Sequence, residues 1–545
     1  MPSPLDPPRR RHAPVGAGCR LLARFLLAAL AVPTGTAAQE PLALADASIA
    51  DIQAAFDDGS LTAEALVEQY LARIEAYDRA GPALGSVLWI NQEVRERARA
   101  LDRERREDGP RSPLHGIPVV LKDNVDTGDM PTTAGSALLA GSVPPDDAFI
   151  VGELRDAGAI VLAKVNMSEL ASGVTMSSAP GGGWIRNPHD LSRSPSGSSG
   201  GTGVAVAAAF AQLGIGTDTG GSVRGPSTAN GIVGLKPTHG LLSRDGIVPL
   251  ALSFDVPGPM GRHVRDVALM LGAMTGVDPA DTATARSEGR ARADYTPFLD
   301  EGALQGARIG VLREVLGADG EVDWIVESSL EAMREAGATV VDVTLPAWLW
   351  ESRSEFYTTI RWREFRDQIP DYLATLAPGY PGTLGEMVAR SREMTSPTPD
   401  GARPNPTRWS LLAREEASGS LSDAEYRAMR DHGMALVRTL LGGIMEEREL
   451  DALVYPTSPT PPSLVDGGGG GGGRSATNLA NLTGFPDLIV PAGFTSDGLP
   501  VGLSFLGPAF SEPRLLALGY AFEQRTGARR SPVLTPPLPG EGVPR

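Results

Sequence analysis

The sequence predicts an α/β fold of the layered kind. Two observations carry that expectation. From Gly116 onward, short apolar runs of strand length alternate with helical stretches, and after Ala307 the same strand–helix–strand unit returns. No long repeat or sustained heptad pattern competes with it. The 545 residues, 41% hydrophobic and 21% charged, supply ample apolar surface for a large core.

Three helices precede the α/β region and read as a peripheral layer. Ser48 opens an amphipathic stretch with Ile49, Ile52, Ala55 and Phe56 at helical spacing, broken by Asp57-Asp58-Gly59-Ser60. Thr62 caps a second helix through Tyr77, with Leu66, Val67, Tyr70, Leu71 and Ile74 on one face. A strongly charged third helix covers 92–106. Then come a buried strand at 117–121, a helix at 149–157, a strand at 160–163, a small-residue helix at 205–213 and a strand at 214–217. The later unit places a strand at 307–312, a helix at 321–336 and a strand at 339–343.

Residues 346–450 read as a helical insertion holding Trp348, Trp350, Trp362 and Trp409, interrupted by the Pro-rich stretch 396–406. It either walls a substrate cleft or its aromatics simply fill a helical core. The seven glycines at 467–473 predict a flexible surface loop, since glycine has no side chain to bury and loses the most entropy on ordering. Apolar runs at 488–491 and 501–506 and a final helix at 512–526 complete the domain.

The first residues differ in kind. Arg9, Arg10, Arg11, Arg20 and Arg24 precede the apolar run Phe25–Val32, and small residues through Ala38 follow. That three-part pattern predicts a signal peptide, residues 1–38, cleaved after Ala38. The mature domain would be 39–545, secreted or periplasmic. The apolar run is too short for stable membrane insertion. Cleavage removes five arginines and Asp6, taking the net charge from −17 to −21, which argues against a nucleic-acid partner. The single cysteine, Cys19, leaves with the signal, so the mature chain has neither disulfide nor thiolate chemistry.

Two Gly/Ser loops flank one helix–strand unit: Ser194–Gly203 and Gly216–Pro226. Such loops can turn successive backbone N–H groups inward to bind an anion, or an oxyanion forming on a carbonyl. Ser222 does not complete the pair of flanking glycines of a G-x-S-x-G elbow, because Arg224 stands at the second, and no histidine pair has metal-ligand spacing. No metal is expected. If a serine attacks, Lys122 is the attractive base, because it ends a buried apolar run where desolvation lowers its pKa. The alternative is a lysine paired with Asp123 or Asp126.

Gly197–Gly203, Gly216–Pro226 and Gly231–Thr238, together with Lys122-Asp123-Asn124, resemble the amidase signature family over nearly the whole mature chain. Pro113–Lys122, Arg155–Lys164 and Gly240–Pro249 look most similar to bacterial peptide amidases, whereas Gly220-Gly221-Ser222-Val223-Arg224 follows the general family pattern. The resemblance implies one α/β/α domain around a large twisted, mixed sheet. It also implies a Ser-cisSer-Lys triad: Ser222 as nucleophile, Ser198 as the bridging serine on a cis peptide bond, Lys122 as base. The oxyanion donors map to the N–H groups of Thr219, Gly220, Gly221 and Ser222. The implied activity is hydrolysis of peptide amides or small carboxamides through an acyl-enzyme, without cofactor. Anilides, carbamates or esters are alternative substrates for the same triad. A non-enzymatic or transamidosome-type subunit is the third reading, opposed by the intact triad and the export signal. Arg224 either binds a substrate carboxylate beside Asp218 or forms a structural ion pair with it.

Overall fold

The computed structural model describes residues 41–465 and 474–545. The expected signal peptide, its cleavage point and the glycine run at 467–473 lie outside the described residues.

Local signals act where the periodicity placed them. Helix α1 (Ile49–Asp57) opens on a capping box: the Ser48 hydroxyl accepts from the Asp51 N–H, and the Asp51 carboxylate accepts from the Ser48 N–H at 2.9 Å. It buries Ile49, Ile52, Ala55 and Phe56. Thr62 caps α2 (Ala63–Arg73), which continues as a π-helical turn to Arg79. There follow β1 (Val87–Ile90), α3 (Val94–Glu107), β2 (Pro118–Lys122), α4 (Phe149–Asp156) and β3 (Ile160–Val165). The central part holds α5 (Gly200–Ala207), β4 (Leu213–Asp218), α6 (Arg224–Ala229), β5 (Val233–Lys236), β6 (Val256–Gly261) and α7 (Val264–Ala273). Beyond it lie β7 (Arg308–Leu312), α8 (Gly320–Glu335), β8 (Thr339–Val343), α9 (Ala347–Leu373), α10 (Leu384–Glu393), α11 (Pro406–Glu416), α12 (Ala424–Arg427) and α13 (Met434–Glu447). The chain ends through β9 (Ala452–Pro456), α14 (Thr477–Thr483), β10 (Asp487–Phe494), β11 (Pro500–Leu506) and α15 (Glu512–Thr526).

Among the described residues, eleven strands form one mixed sheet in the order β1-β3-β2-β4-β6-β5-β10-β11-β9-β7-β8. The β3/β2/β4 and β9/β7/β8 groups are parallel, and every other pairing is antiparallel. The fold is therefore the expected α/β arrangement, a large mixed sheet flanked by helices. Its main core joins α1, α2, α5, α7, α8 and α15 to the sheet. Strands β2 and β4 lie side by side, with Val119 opposite Leu213 and Leu121 opposite Ile215. Their C-terminal ends therefore emerge together, and β4 meets the antiparallel β6 on its other side. Ligand sites of α/β sheets gather at such strand ends.

Four elements differ from the sequence expectation. Helix α5 spans Gly200–Ala207 rather than 205–213, so the glycines form its first turn. A Cβ at Gly201 would lie 2.1 Å from the Asn166 carbonyl oxygen; only glycine lets the helix approach that backbone. Strand β6 carries Pro257 and Pro259 inside the sheet, a composition that reads as turn rather than strand. Strands β1 and β9 are short, and β9 begins just past the end of the helical segment.

Within 346–450, Trp350 packs into a core with α13, α14 and β9, and Trp409 into a second core with α9, α10 and the 134–171 segment. Those two tryptophans thus fill helical cores. The segment nonetheless reaches the Gly216–Pro226 loop through Tyr357 of α9.

Candidate active site

The chain has three lysines, Lys122, Lys164 and Lys236, against 46 arginines, and all three lysines are fully buried. Lys122 closes β2. Its Nζ donates to Ser198 Oγ at 2.7 Å, to Thr217 Oγ1 at 2.8 Å and to the Thr217 carbonyl at 3.3 Å. Asn124 Nδ2 also donates to Thr217 Oγ1, at 3.1 Å. Burial pulls the Lys122 ammonium down to about 7; Asp218 and Asp255 oppose the shift from a distance.

The alternative pairing of Lys122 with Asp123 or Asp126 is not formed. Asp123 accepts from the Thr133 hydroxyl and from the Gly135 N–H at 2.9 Å. Asp126 accepts from Tyr372 Oη at 2.9 Å. The charge beside both is Lys164, whose Nζ donates to the Val125 carbonyl and to Thr132 Oγ1 at 2.7 Å.

Ser198 follows a cis peptide bond, Gly197–Ser198. Its carbonyl accepts from the Ser168 N–H at 3.1 Å, and the Ser199 N–H donates to the Ser222 carbonyl at 3.2 Å. Ser199 Oγ bonds the Thr217 backbone, so the two Gly/Ser loops are stitched together beside Lys122. Ser222 is half-buried at the mouth of this unit. The structure thus joins Lys122 and Ser198 directly and brings Ser222 to them through backbone. No Ser222–Ser198 side-chain hydrogen bond forms among the described residues.

The loop from Asp218 to Arg224 is held from below. Asp218 accepts from the N–H groups of Gly221 at 2.9 Å and Val223 at 3.0 Å, and from Asn481 Nδ2 at 2.9 Å. Gly221 takes a φ of +118°, a conformation suited to glycine. Arg224 reaches Asp218 with Nε and Nη2, each at 3.1 Å. It also reaches Asp487 at 2.9 Å, Asn481 Oδ1 at 2.6 Å and the Thr477 carbonyl at 2.6 Å. Tyr455 Oη donates to Asp487 at 2.6 Å. Burial alone would raise the Asp218 pKa, but the Arg224 charge and its hydrogen bonds hold it below the usual carboxylate range.

Of the two readings of Arg224, the ion pair with Asp218 is the arrangement formed: both residues are fully buried and bonded to each other and to Asn481, and Arg224 also pairs with Asp487. The Gly221 N–H is engaged by Asp218, which leaves the backbone N–H groups of Thr219, Gly220 and Ser222 from the expected oxyanion set. Thr219 is fixed by its hydroxyl, which donates to Asp255 at 2.5 Å.

Sequence reasoning missed Thr217, Asn124, Ser199, Asp255, Asn481, Asp487 and Tyr455. Asn124, Thr217 and Ser199 stand inside the quoted motifs without a role assigned to them, and the scarcity of lysine was itself a signal. Asn481 and Asp487 lie more than 250 residues from Arg224 in sequence, beyond what spacing can reveal. His239 is no part of the unit: Nε2 contacts the Leu252 carbonyl at 2.9 Å, and burial with nearby Arg244 holds the imidazole neutral down to about 3.

A cavity of about 260 Å³ lies along the 194–197 loop, lined by Thr175, Ser194, Ser196, Gly197, Gly225 and Ser458 among others, without Lys122, Ser198 or Ser222 in its wall. The arrangement offers a buried amine that is half-neutral near pH 7, a hydroxyl in contact with it, and a serine on a loop rich in backbone donors.

A family model described as Amidase matches residues 65–516. The chain is 37% identical over 498 residues to a glutamyl-tRNA(Gln) amidotransferase subunit of Symbiobacterium thermophilum, covering 88% of this chain and 96% of that protein. It superposes on the native peptide amidase of Stenotrophomonas maltophilia with a TM-score of 0.82 and 40% identity, over 90% of this chain and 99% of that one. A peptide amidase in complex with the competitive inhibitor chymostatin matches with a TM-score of 0.81 and 40% identity, over 89% and 99%.

Proposed function

Since this chain belongs to the amidase signature family of amidohydrolases, we propose that it is an exported serine amidase that hydrolyses the C-terminal amides of peptides, or small carboxamides, to carboxylate and ammonia. The observation that carries the mechanism is the 2.7 Å contact of a fully buried Lys122 with Ser198, beside the Ser222 loop. The likeness to peptide amidase over 90% of the chain supports the substrate class.

In this reading neutral Lys122 accepts the Ser198 proton while Ser198 accepts that of Ser222. Ser222 Oγ attacks the amide carbonyl carbon. The Thr219, Gly220 and Ser222 N–H groups stabilise the charge that develops on the carbonyl oxygen. The relay returns the proton to the amide nitrogen, because an amide anion is a poor leaving group, and ammonia departs. Water then attacks the Ser222 ester through the same relay and releases the acid.

A panel of peptide amides, aliphatic amides, anilides and esters, read by ammonia release and mass spectrometry, tests the proposal. Peptide amides should give the free acid and ammonia. Ser222→Ala should lose roughly 10⁴-fold or more in kcat with its melting temperature unchanged, as nucleophile removal does elsewhere. Turnover retained in Ser222→Ala would overturn the assignment. The identity to an amidotransferase subunit favours a second reading; a purified chain silent on every free amide would support it instead.

A further inference from the structure

We infer that Tyr357, on α9, is a further catalytic residue: its hydroxyl donates a hydrogen bond to the substrate carbonyl oxygen as that oxygen becomes an oxyanion. The inference rests on the Ser222 reading above and goes beyond it by adding a side-chain donor from a distant part of the chain.

Tyr357 stands directly on the loop that precedes Ser222. A Cβ placed on Gly220 would lie 2.4 Å from Tyr357 Oη and 2.7 Å from its Cζ, so the phenol end of the ring occupies the space above Gly220. The ring is fixed there by stacking on Phe254, 5.3 Å between centroids and 25° between planes. Other polar side chains on the same face of α9 are already committed. Arg353 Nε donates to the Ser475 carbonyl at 3.1 Å, and Arg361 pairs with Glu415 at 2.9 Å and reaches Ser172 at 3.2 Å. The Tyr357 hydroxyl has no hydrogen-bond partner among the described residues, and the residue is largely buried with part of its surface reaching solvent. An uncommitted donor therefore faces the loop that has lost its Gly221 N–H to Asp218. Burial pushes the phenol up to about 12, so the hydroxyl keeps its proton at neutral pH and remains able to donate.

Tyr357→Phe preserves the ring and its stack on Phe254 and removes only the hydroxyl. With a peptide amide substrate, kcat should fall roughly 10- to 100-fold, within or below the range for loss of one oxyanion donor. KM should stay within about twofold, and the melting temperature should not move. The inhibition constant of a peptide aldehyde, which Ser222 would capture as a tetrahedral adduct, should rise by the same factor as kcat/KM falls. An unchanged kcat, or a rise in KM alone, overturns the inference, because a packing or substrate-shape role would leave the oxyanion untouched. Ser222→Ala is assayed in parallel. If it is inactive while Tyr357→Phe keeps full kcat, only the inference about Tyr357 fails; if Ser222→Ala stays active, the underlying mechanism fails.

Discussion

A lysine can act as a general base only if it sheds its proton near the working pH, and at Lys122 burial produces that shift. Its polar neighbours, Ser198 and Thr217, are neutral, and no carboxylate touches it. The sign of the pH dependence follows. Below about 7 the amine is an ammonium and cannot accept the Ser198 proton; above it the amine is neutral. kcat/KM should therefore fall about tenfold per unit as pH drops below about 7, and level off above it. A profile flat from neutral to acid would rule out Lys122 as the base. His239→Ala should leave the profile in place, since His239 stays neutral down to about 3 and lies outside the unit. The motifs named Lys122, Ser198 and Ser222, but they could not decide whether Lys122 faced Asp123 or a serine. That choice depends on Lys164, which stands on the neighbouring strand β3 and takes the place beside both aspartates.

At the scale of the element, the decisive piece is the turn between β4 and α6. Helix α6 has six residues and no side-chain cap, and little in its propensity would hold the turn in place. The Asp218–Arg224–Asp487 network does so, tying the turn to β10 and α14. Replacing Arg224 by Met should cost on the order of 3–5 kcal/mol, because it leaves two buried carboxylates without their cation. Arg224→Lys should not rescue, since one ammonium cannot span Asp218, Asp487 and Asn481 as the guanidinium fork does. Urea denaturation measures both; a loss under about 1 kcal/mol for Arg224→Met would show that the turn is held otherwise. The sequence made α1 to α4, β2, β3 and the β7–α8–β8 unit legible because their periodicities agree with their burial. It misplaced α5 because glycine is a poor helix former, whereas here the absence of a side chain is what lets the helix touch Asn166. It hid β6 because two prolines and two glycines argue against an inner strand.

At the scale of the whole molecule, the segment just after the expected cleavage point is built into the fold, and its contacts make truncation informative. Leu42 exchanges both backbone hydrogen bonds with Val543, at 2.8 Å each, so the two ends of the described chain clasp one another. Leu44 and Ala47 are fully buried. The Leu44 carbonyl accepts from Arg262 at 3.3 Å, the Ala47 carbonyl accepts from Gln212 at 2.9 Å, and the Ile49 N–H donates to Asp266. Everything in the candidate site lies after these residues. A chain starting at Gln39 should therefore match the full-length chain in amide turnover and melting temperature, and N-terminal sequencing of the native protein should find Gln39 or a near neighbour first. A chain starting at Ile49 should lose about 3–5 kcal/mol, because it exposes the Leu44 site and takes one backbone acceptor each from Arg262 and Gln212. Arg262 then keeps only Gln212 Oε1 and the Val206 and Ala211 carbonyls as acceptors, and Gln212 only Asp266. If removal of residues 1–48 left both turnover and melting temperature intact, the N-terminal clasp would be dispensable and the boundary of the folded unit would have to move to the start of α1.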